Sequence, residues 1–235
     1  RRFGIGADGL IAVEPSRGKG GTVRMRYYNA DGGEAEMCGN GARCFGNFAA
    51  ALLHHDKSAP LPFETMAGIV TATFEKDGNV TVNLTDPHSL QLFVLNADPA
   101  VGADVHFLNT GVPHAVAFLD KLDGLDVPRL GAYLRYHSAF SPKGTNANFA
   151  RILSPGHIAI RTYERGVEDE TLACGTGMTA SALLHAVLTD APSPIQVDVA
   201  GGDTLKVGFQ RTGDRFTSVT LTGPADLVFT GDIEL

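Results

Sequence analysis

Leu172-Ala173-Cys174-Gly175-Thr176-Gly177-Met178-Thr179 repeats, 136 residues on, the pattern of Glu36-Met37-Cys38-Gly39-Asn40-Gly41-Ala42-Arg43. Both stretches read Cys-Gly-x-Gly, and both run into apolar residues at steps of three and four. After Cys38 these are Ala42, Phe45, Ala49, Leu52 and Leu53; after Cys174 they are Met178, Ala182, Leu183, Ala186 and Val187. Each cysteine is therefore expected on or just before the first turn of a largely buried helix. Strands are expected on either side. Val70 to Phe74 and Val80 to Leu84 flank Asp77-Gly78, a tight-turn signal because this pair tolerates positive φ. Ile195 to Val199 and Leu205 to Phe209 flank Gly201-Gly202-Asp203, Phe216 to Leu221 follows Gly213, and Ile158 to Tyr163 alternates apolar with polar. The order strands, Cys-Gly-x-Gly, helix, hairpin thus occurs twice.

The repeat divides the 235 residues into an N-terminal half, 1–99, and a C-terminal half, 100–235, whose last residues could return to the first. The second half has 74 residues before its cysteine and the first only 37, and the chain opens on Arg1. Equivalent halves would leave the first short by the difference, about 37 residues at its N-terminus. Lysine and arginine total 19 against 26 aspartates and glutamates, a formal charge of −7. That balance argues against nucleic acid as a partner, since such a surface must be basic. No run approaches the roughly 20 apolar residues of a membrane helix. Three cysteines in so long a chain are no disulfide framework.

A lone cysteine is most often a small buried hydrophobe. Two at repeated helix starts are a different matter. A helix N-terminus carries unpaired N–H groups and the positive end of the dipole, and it favours the thiolate over the thiol. Flanking glycines let backbone donors approach an anion. Two such starts across a cleft suit a two-base reaction, in which one sulfur takes a proton from carbon and the other returns one to the opposite face. Like charges close together resist double ionisation, so the pair holds one proton. Near-attack geometry on a carbon between them implies sulfurs roughly 6–7 Å apart.

Further segments complete the pattern: Phe3-Gly4-Ile5-Gly6-Ala7-Asp8-Gly9, Tyr28-Asn29-Ala30-Asp31-Gly32, Gly111-Val112-Pro113-His114, Thr145-Asn146-Ala147-Asn148-Phe149 and Tyr163-Glu164-Arg165-Gly166. Together with the two cysteine motifs they make the whole chain resemble the diaminopimelate epimerase family. The resemblance implies an α/β (α+β) fold of two pseudo-symmetric domains, each a curled, mostly antiparallel sheet or barrel around a central helix. It implies interconversion of LL- and meso-diaminopimelate without pyridoxal phosphate or any other cofactor, in the supply of lysine and peptidoglycan precursors. It matches Cys38 and Cys174 to the catalytic thiols. Asn29, Asn146 and Arg165 match side chains on the distal end of the substrate, Glu164 a contact to its ammonium, and Gly39, Asn40, Gly175 and Thr176 the cradle of the reacting carboxylate. It also implies a homodimer, and a cytoplasmic, reducing location, because in the family the two sulfurs close to an inactive disulfide on oxidation.

Two positions depart from the family pattern. Val112 stands where many relatives have a substrate-binding Asn, and Gly9 where some have Gln. Other residues carry ordinary readings. Cys44, about 240° around the helix from Cys38, is expected in the core. His114 matches a position behind the sulfurs, where a supporting role and a structural one are both open. His54, His55, His88, His106, His137, His157 and His185 have no metal-ligand spacing with the cysteines, so no metal site is expected. Taken alone, Arg165 would be a solvated charge, and Asn29 and Asn146 turn residues. Two other functions stand beside the epimerase: a proline or hydroxyproline racemase, whose relatives place His where Asn40 stands, and a thiol redox protein, which would more often carry Cys-x-x-Cys.

Overall fold

The computed structural model describes residues 6–7, 9–18, 20–29, 32–35 and 38–232. Phe3, Gly4, Ile5, Asp8, Ala30, Asp31, Glu36 and Met37 of the motifs above lie outside them. The chain forms two compact units, one of Arg1–Asn83 with Thr222–Leu235 and one of Leu84–Leu221.

In the first unit, β1 (Gly9–Pro15), β2 (Val23–Asn29), β3 (Glu34–Ala35), α1 (Gly39–Leu52), β4 (Leu61–Thr65), β5 (Gly68–Phe74) and β6 (Val80–Asn83) follow in order. β2 pairs antiparallel with β1 and β3 and parallel with β4, and β4, β5 and β6 continue antiparallel. The sheet curls around α1, which touches β1, β2, β4, β5 and β6. Alternate strand residues turn inward, so Met25, Leu61, Phe63, Ala72, Val80 and Val82 are buried against Phe45 and Ala49 of the helix. The Phe45 and Phe63 ring centroids are 4.6 Å apart. Gly46 lets the helix lie close, since a Cβ there would stand 2.6 Å from that of Ala72. The Asp77-Gly78 turn forms as expected, with Gly78 at φ +89° and Asp77 Oδ1 accepting from the Asn79 N–H at 3.0 Å.

The second unit begins with β7 (His88–Asp98), β8 (Ala103–Asn109), β9 (Pro113–Phe118), α2 (Val127–Arg135) and a 3₁₀ turn at Ser138–Phe140. It continues with β10 (Asn146–Ser154), β11 (His157–Glu164), β12 (Asp169–Thr171), α3 (Gly175–Thr189), β13 (Ile195–Asp198), β14 (Thr204–Thr212) and β15 (Arg215–Gly223). From β10 onward the pairings of the first unit recur. β10–β11 and β11–β12 are antiparallel, β11–β13 is parallel, β13–β14 is antiparallel, and β15 lies beside β14. The internal echo is thus a repeat of topology as well as of sequence. Ahead of it, β7, β8 and β9 extend the sheet, with β9 parallel to β10. α3 is covered by β8, β9, β10, β11, β13 and β14, while α2 packs on the opposite face against β10, β11 and β12. Val127, Leu130 and Leu134 of α2 meet Ala115, Ala117, Ala147, Phe149 and Tyr163 in a second core.

Two sequence expectations fail on α1. Cys44 is exposed, not in the core. Leu52 and Leu53, read as part of the buried stripe, are also exposed. The stripe that meets the sheet is Ala42, Phe45, Gly46, Ala49 and Ala50, and Cys44 is not among the helix's buried residues. On α3 the equivalent of Phe48, Leu184, is fully buried, because β8 and β9 cover that side.

β7 is irregular. Ser89, Phe93 and Ala97 adopt positive φ of 57°, 55° and 41°, and its register against β8 shifts after each paired position. The freed N–H groups of Phe93 and Ala97 donate to His106 Nδ1 at 3.2 Å and Asp104 Oδ1 at 2.7 Å. Among the described residues, no helix is long and apolar enough to cross a membrane.

Candidate functional site

In the first unit, Cys38 is the residue that caps α1. Its backbone is extended (φ −136°, ψ 115°), its C=O accepts the Ala42 N–H at 2.7 Å, and its Sγ accepts the Gly41 N–H at 3.3 Å. One orphan donor of the first turn is thereby used by sulfur. Gly39 is buried beside it, and Asn40 Oδ1 is held by Arg43 Nη1 at 3.0 Å. Arg43 is itself buried, and its Nε donates to Pro224 O at 3.4 Å. Asn29 ends β2 in a turn closed by two backbone bonds with Gly32 and Gly33, both 2.9 Å.

In the second unit, Cys174 takes the same place on α3, extended at φ −117° and ψ 110°, and buried at 7% exposure. Its C=O accepts the Met178 N–H at 2.9 Å, and its Sγ is 3.5 Å from Thr176 Oγ1. Gly175 is buried, and its C=O accepts from Thr179 Oγ1 at 2.9 Å. The turn between β8 and β9 ties to the helix start through Thr110 Oγ1, which donates to Thr176 O at 3.0 Å. Asn29 and Arg165 occupy equivalent places in the two units, each nine residues before its cysteine.

The strand alternation explains how polar residues reach α3. His114 stands beside Asn146 in the β9–β10 register, and Asn148 beside Thr162 in β10–β11. These residues and Glu164 therefore share the face toward α3, while Ala115, Ala147 and Tyr163 face α2. Asn146 is buried and bonded at both ends of its amide: its Nδ2 donates to Pro113 O at 3.0 Å, and its Oδ1 accepts the Arg165 N–H at 2.8 Å. It holds the Arg165 backbone in place. The Arg165 guanidinium reaches Lys143 O at 3.3 Å. Glu164 accepts from Thr171 Oγ1 at 3.0 Å, and burial pushes its carboxyl above the usual range. Burial and the charge of Arg165 together push His114 down to about 3, so its imidazole is neutral. Of the residues singled out from sequence, His114, Asn146, Glu164, Arg165, Cys174, Gly175 and Thr176 lie in this unit, and Asn29, Cys38, Gly39 and Asn40 in the other. Among the described residues, no group of three His, Cys, Asp or Glu is placed to hold a metal ion.

Three buried histidines of the second unit, His106, His114 and His185, are all pushed below their ordinary value by burial. As pH falls below the ordinary histidine value of 6.5 the unfolded chain binds protons at these sites more readily than the folded one, for His114 down to about 3, so stability falls as pH falls. Glu164, raised in the fold, works the other way. At pH 5 the fully buried His114 alone lowers stability by about 2 kcal/mol, which is a Tm lower by about 4–8 °C than at pH 7. Thermal unfolding at the two pH values, with His114→Gln as the variant that flattens the dependence, checks this.

The family model described as diaminopimelate epimerase matches residues 1–90 and 106–228. The chain belongs to the diaminopimelate epimerase family. It is 44% identical over 237 residues to the diaminopimelate epimerase of Chlorobaculum tepidum, covering 100% of this chain and 88% of that one. It is 41% identical over 232 residues to that of a Hydrogenobaculum species, covering 97% and 80%. The family is one of isomerases. Solved structures share the fold: a Bacillus anthracis phenazine biosynthesis protein of the PhzF family (15% identical, TM-score 0.66, 92% of this chain and 81% of that one) and a probable proline racemase from Agrobacterium radiobacter (20% identical, TM-score 0.65, 92% and 73%). They bear out the mixed α/β fold with a curled sheet that the resemblance implied.

Sequence reading passed over Asn148, Thr162 and Thr110 as site neighbours. A signal was present for the first two: Asn146-x-Asn148 and Thr162-x-Glu164 are polar at period two on one face of their strands. Thr110 is tied to α3 by tertiary contact and carries no local mark.

Proposed function

We propose that this chain interconverts LL- and meso-diaminopimelate with Cys38 and Cys174, one sulfur as thiolate removing the α-proton from one face and the other as thiol delivering its own proton to the opposite face. The observation that carries the reading is the duplicated helix start, with a cysteine as the capping residue of the central helix in both units. Membership of a family whose named relatives are diaminopimelate epimerases supports the substrate. In this reading the backbone donors at Gly39, Asn40, Gly175 and Thr176 receive the reacting carboxylate and the charge that develops on it. Arg165 takes the distal carboxylate with its planar fork. Glu164 meets an ammonium, whose approach would return its raised carboxyl to the ionised form. Asn146 acts through Arg165, whose backbone it holds, and Asn29 supplies the equivalent position of the other unit. The product feeds lysine and peptidoglycan synthesis.

The test is incubation with LL-diaminopimelate in deuterated buffer under reductant. Deuterium is expected at the α-carbon together with formation of the meso isomer, and proline supplied instead should not turn over. Exchange of proline and none of diaminopimelate would transfer the chain to the racemase reading.

A further inference from the structure

The turn that carries Arg165 joins β11 to β12, and each of its amides has a partner. The Arg165 N–H donates to Asn146 Oδ1 at 2.8 Å, the Gly166 N–H to Glu168 Oε1 at 3.1 Å, and the N–H groups of Val167 and Glu168 to Glu164 O at 3.2 and 2.8 Å. The first two bonds bracket Arg165. One fixes the peptide before its Cα and the other the peptide after it, so both of its backbone dihedrals are set, and with them the direction in which the side chain leaves. Glu168 itself is left-handed, at φ +58°. A Cβ is unfavourable in that conformation, and such residues persist where the surroundings over-determine them. Here the surroundings are four donors: Oε1 accepts from the Gly166 N–H and from Arg135 Nε, both at 3.1 Å, and Oε2 accepts from Tyr136 Oη at 3.2 Å and Tyr163 Oη at 3.3 Å. Desolvation works upward on this carboxyl, but the Gly166 N–H, Arg135 and Tyr136 outweigh it and hold it below the usual carboxylate range.

The same cluster reaches the far end of Arg165. Arg135 closes α2, and its Nη1 donates to Lys143 O at 3.4 Å, the carbonyl that also accepts from Arg165 Nη1 at 3.3 Å. Gly144, at φ +65°, leaves the space for this, since a Cβ there would overlap the Arg135 guanidinium. Glu168 therefore bears on Arg165 at both ends: on its backbone through Gly166, and on its guanidinium through Arg135 and Lys143 O.

We propose that Glu168 is a positioning residue that, with Asn146, fixes the direction of Arg165 and so sets how well a second, distal carboxylate on the substrate is bound. The hold on the turn needs no assumption about the reaction. Its consequence for binding rests on the role that the proposed function gives to Arg165.

Amide hydrogen exchange on the full chain reads the hold without substrate. The Gly166 amide is expected to be protected, and in Glu168→Ala to exchange at least about tenfold faster, while the Val167 amide, bonded to Glu164 O, changes less. Steady-state kinetics read the consequence. Glu168→Ala should raise KM for diaminopimelate about tenfold and change kcat less than about threefold, the pattern for lost binding that ground state and transition state share. Glu168→Gln, whose amide oxygen still accepts from Gly166 and Arg135, should recover most of the parent KM. In an Arg165→Ala background, Glu168→Ala should raise KM no further, because the two side chains act as a unit. A merely structural turn would instead lower Tm and kcat together and would add to the effect of Arg165→Ala. A Gly166 amide that exchanges freely in the wild type overturns the hold, and this needs no variant to fold. An unchanged KM in Glu168→Ala, or effects of the two substitutions that add, overturns the positioning role. A protected Gly166 amide in a protein that does not epimerise diaminopimelate supports the hold and removes the function proposed above.

Discussion

Cys38→Ala and Cys174→Ala should each abolish the conversion of LL- to meso-diaminopimelate, lowering it by at least about 10³-fold, within the range for loss of a general acid or base. A single sulfur can return a proton only to the face from which it came. Inversion needs both. The double variant should also lose all deuterium incorporation at the α-carbon, and incorporation that survived it would end the two-thiol mechanism. The fold must be shown to persist, and the structure supplies the control. Cys38 Sγ accepts the Gly41 N–H in the manner of a helix cap. Ser is among the best residues at such a position. Cys38→Ser should therefore keep the thermal stability of the parent while losing turnover, which separates the chemistry from the scaffold. The thiol redox alternative makes the opposite forecast for reductant: it should suppress a disulfide-cycling protein and protect this one.

The second large effect is expected at Gly177, and it should not be shared by its counterpart in the repeat. Within a helix, Gly→Ala ordinarily gains up to about 1 kcal/mol from backbone entropy. At Gly177 the new methyl would overlap Asn148 Oδ1, and Asn148 has no room to withdraw because three hydrogen bonds pin it. Overpacking of a pinned site costs roughly 1–3 kcal/mol. Gly177→Ala is thus expected to lower Tm and to reduce kcat by more than tenfold, by displacing the first turn that carries Cys174. At Gly41 the nearest atom is Met25 Cε, at 3.3 Å, the free end of a flexible side chain, with Tyr27 Cδ2 and Cys38 Cβ at 3.4 Å. Methionine adapts to such intrusions. Gly41→Ala should leave the stability within about 1 kcal/mol of the parent's, and differential scanning of the two variants side by side decides the matter. Equal losses would mean that the repeat, not the local packing, governs both positions.

Much of the fold could be read from the chain, for physical reasons that differ from element to element. The hairpin at Asp77-Gly78 was legible because only a few residues tolerate positive φ, and Gly78 adopts it. The two central helices were legible because a cysteine between extended and helical backbone, followed by glycines and spaced apolar residues, occurs twice. The buried limits of α1 were not. Periodicity gives the direction of an apolar stripe but not which strands arrive to cover it, so Cys44, Leu52 and Leu53 were placed inside and stand outside. On α3 nearly every side is apolar and buried, as β8 and β9 complete its cover. The site was legible at its cysteines, whose motif is local. The parts contributed by β9, β10 and β11 depend on register. Asn148 looks like any strand asparagine until Thr162, Ala115 and His114 are brought to its three polar contacts.

The kinks of β7 bear on how the molecule behaves in a crowded solution. An outermost strand normally exposes a straight ladder of unpaired amides and carbonyls, an open template for any stray extended chain. Here left-handed residues at Ser89, Phe93 and Ala97 break that ladder every four positions, and two of its amides are turned onto side chains of β8. A would-be neighbour finds no run of matched groups longer than a few residues, so this border resists fibril-like stacking without needing a charged or proline-bearing rim.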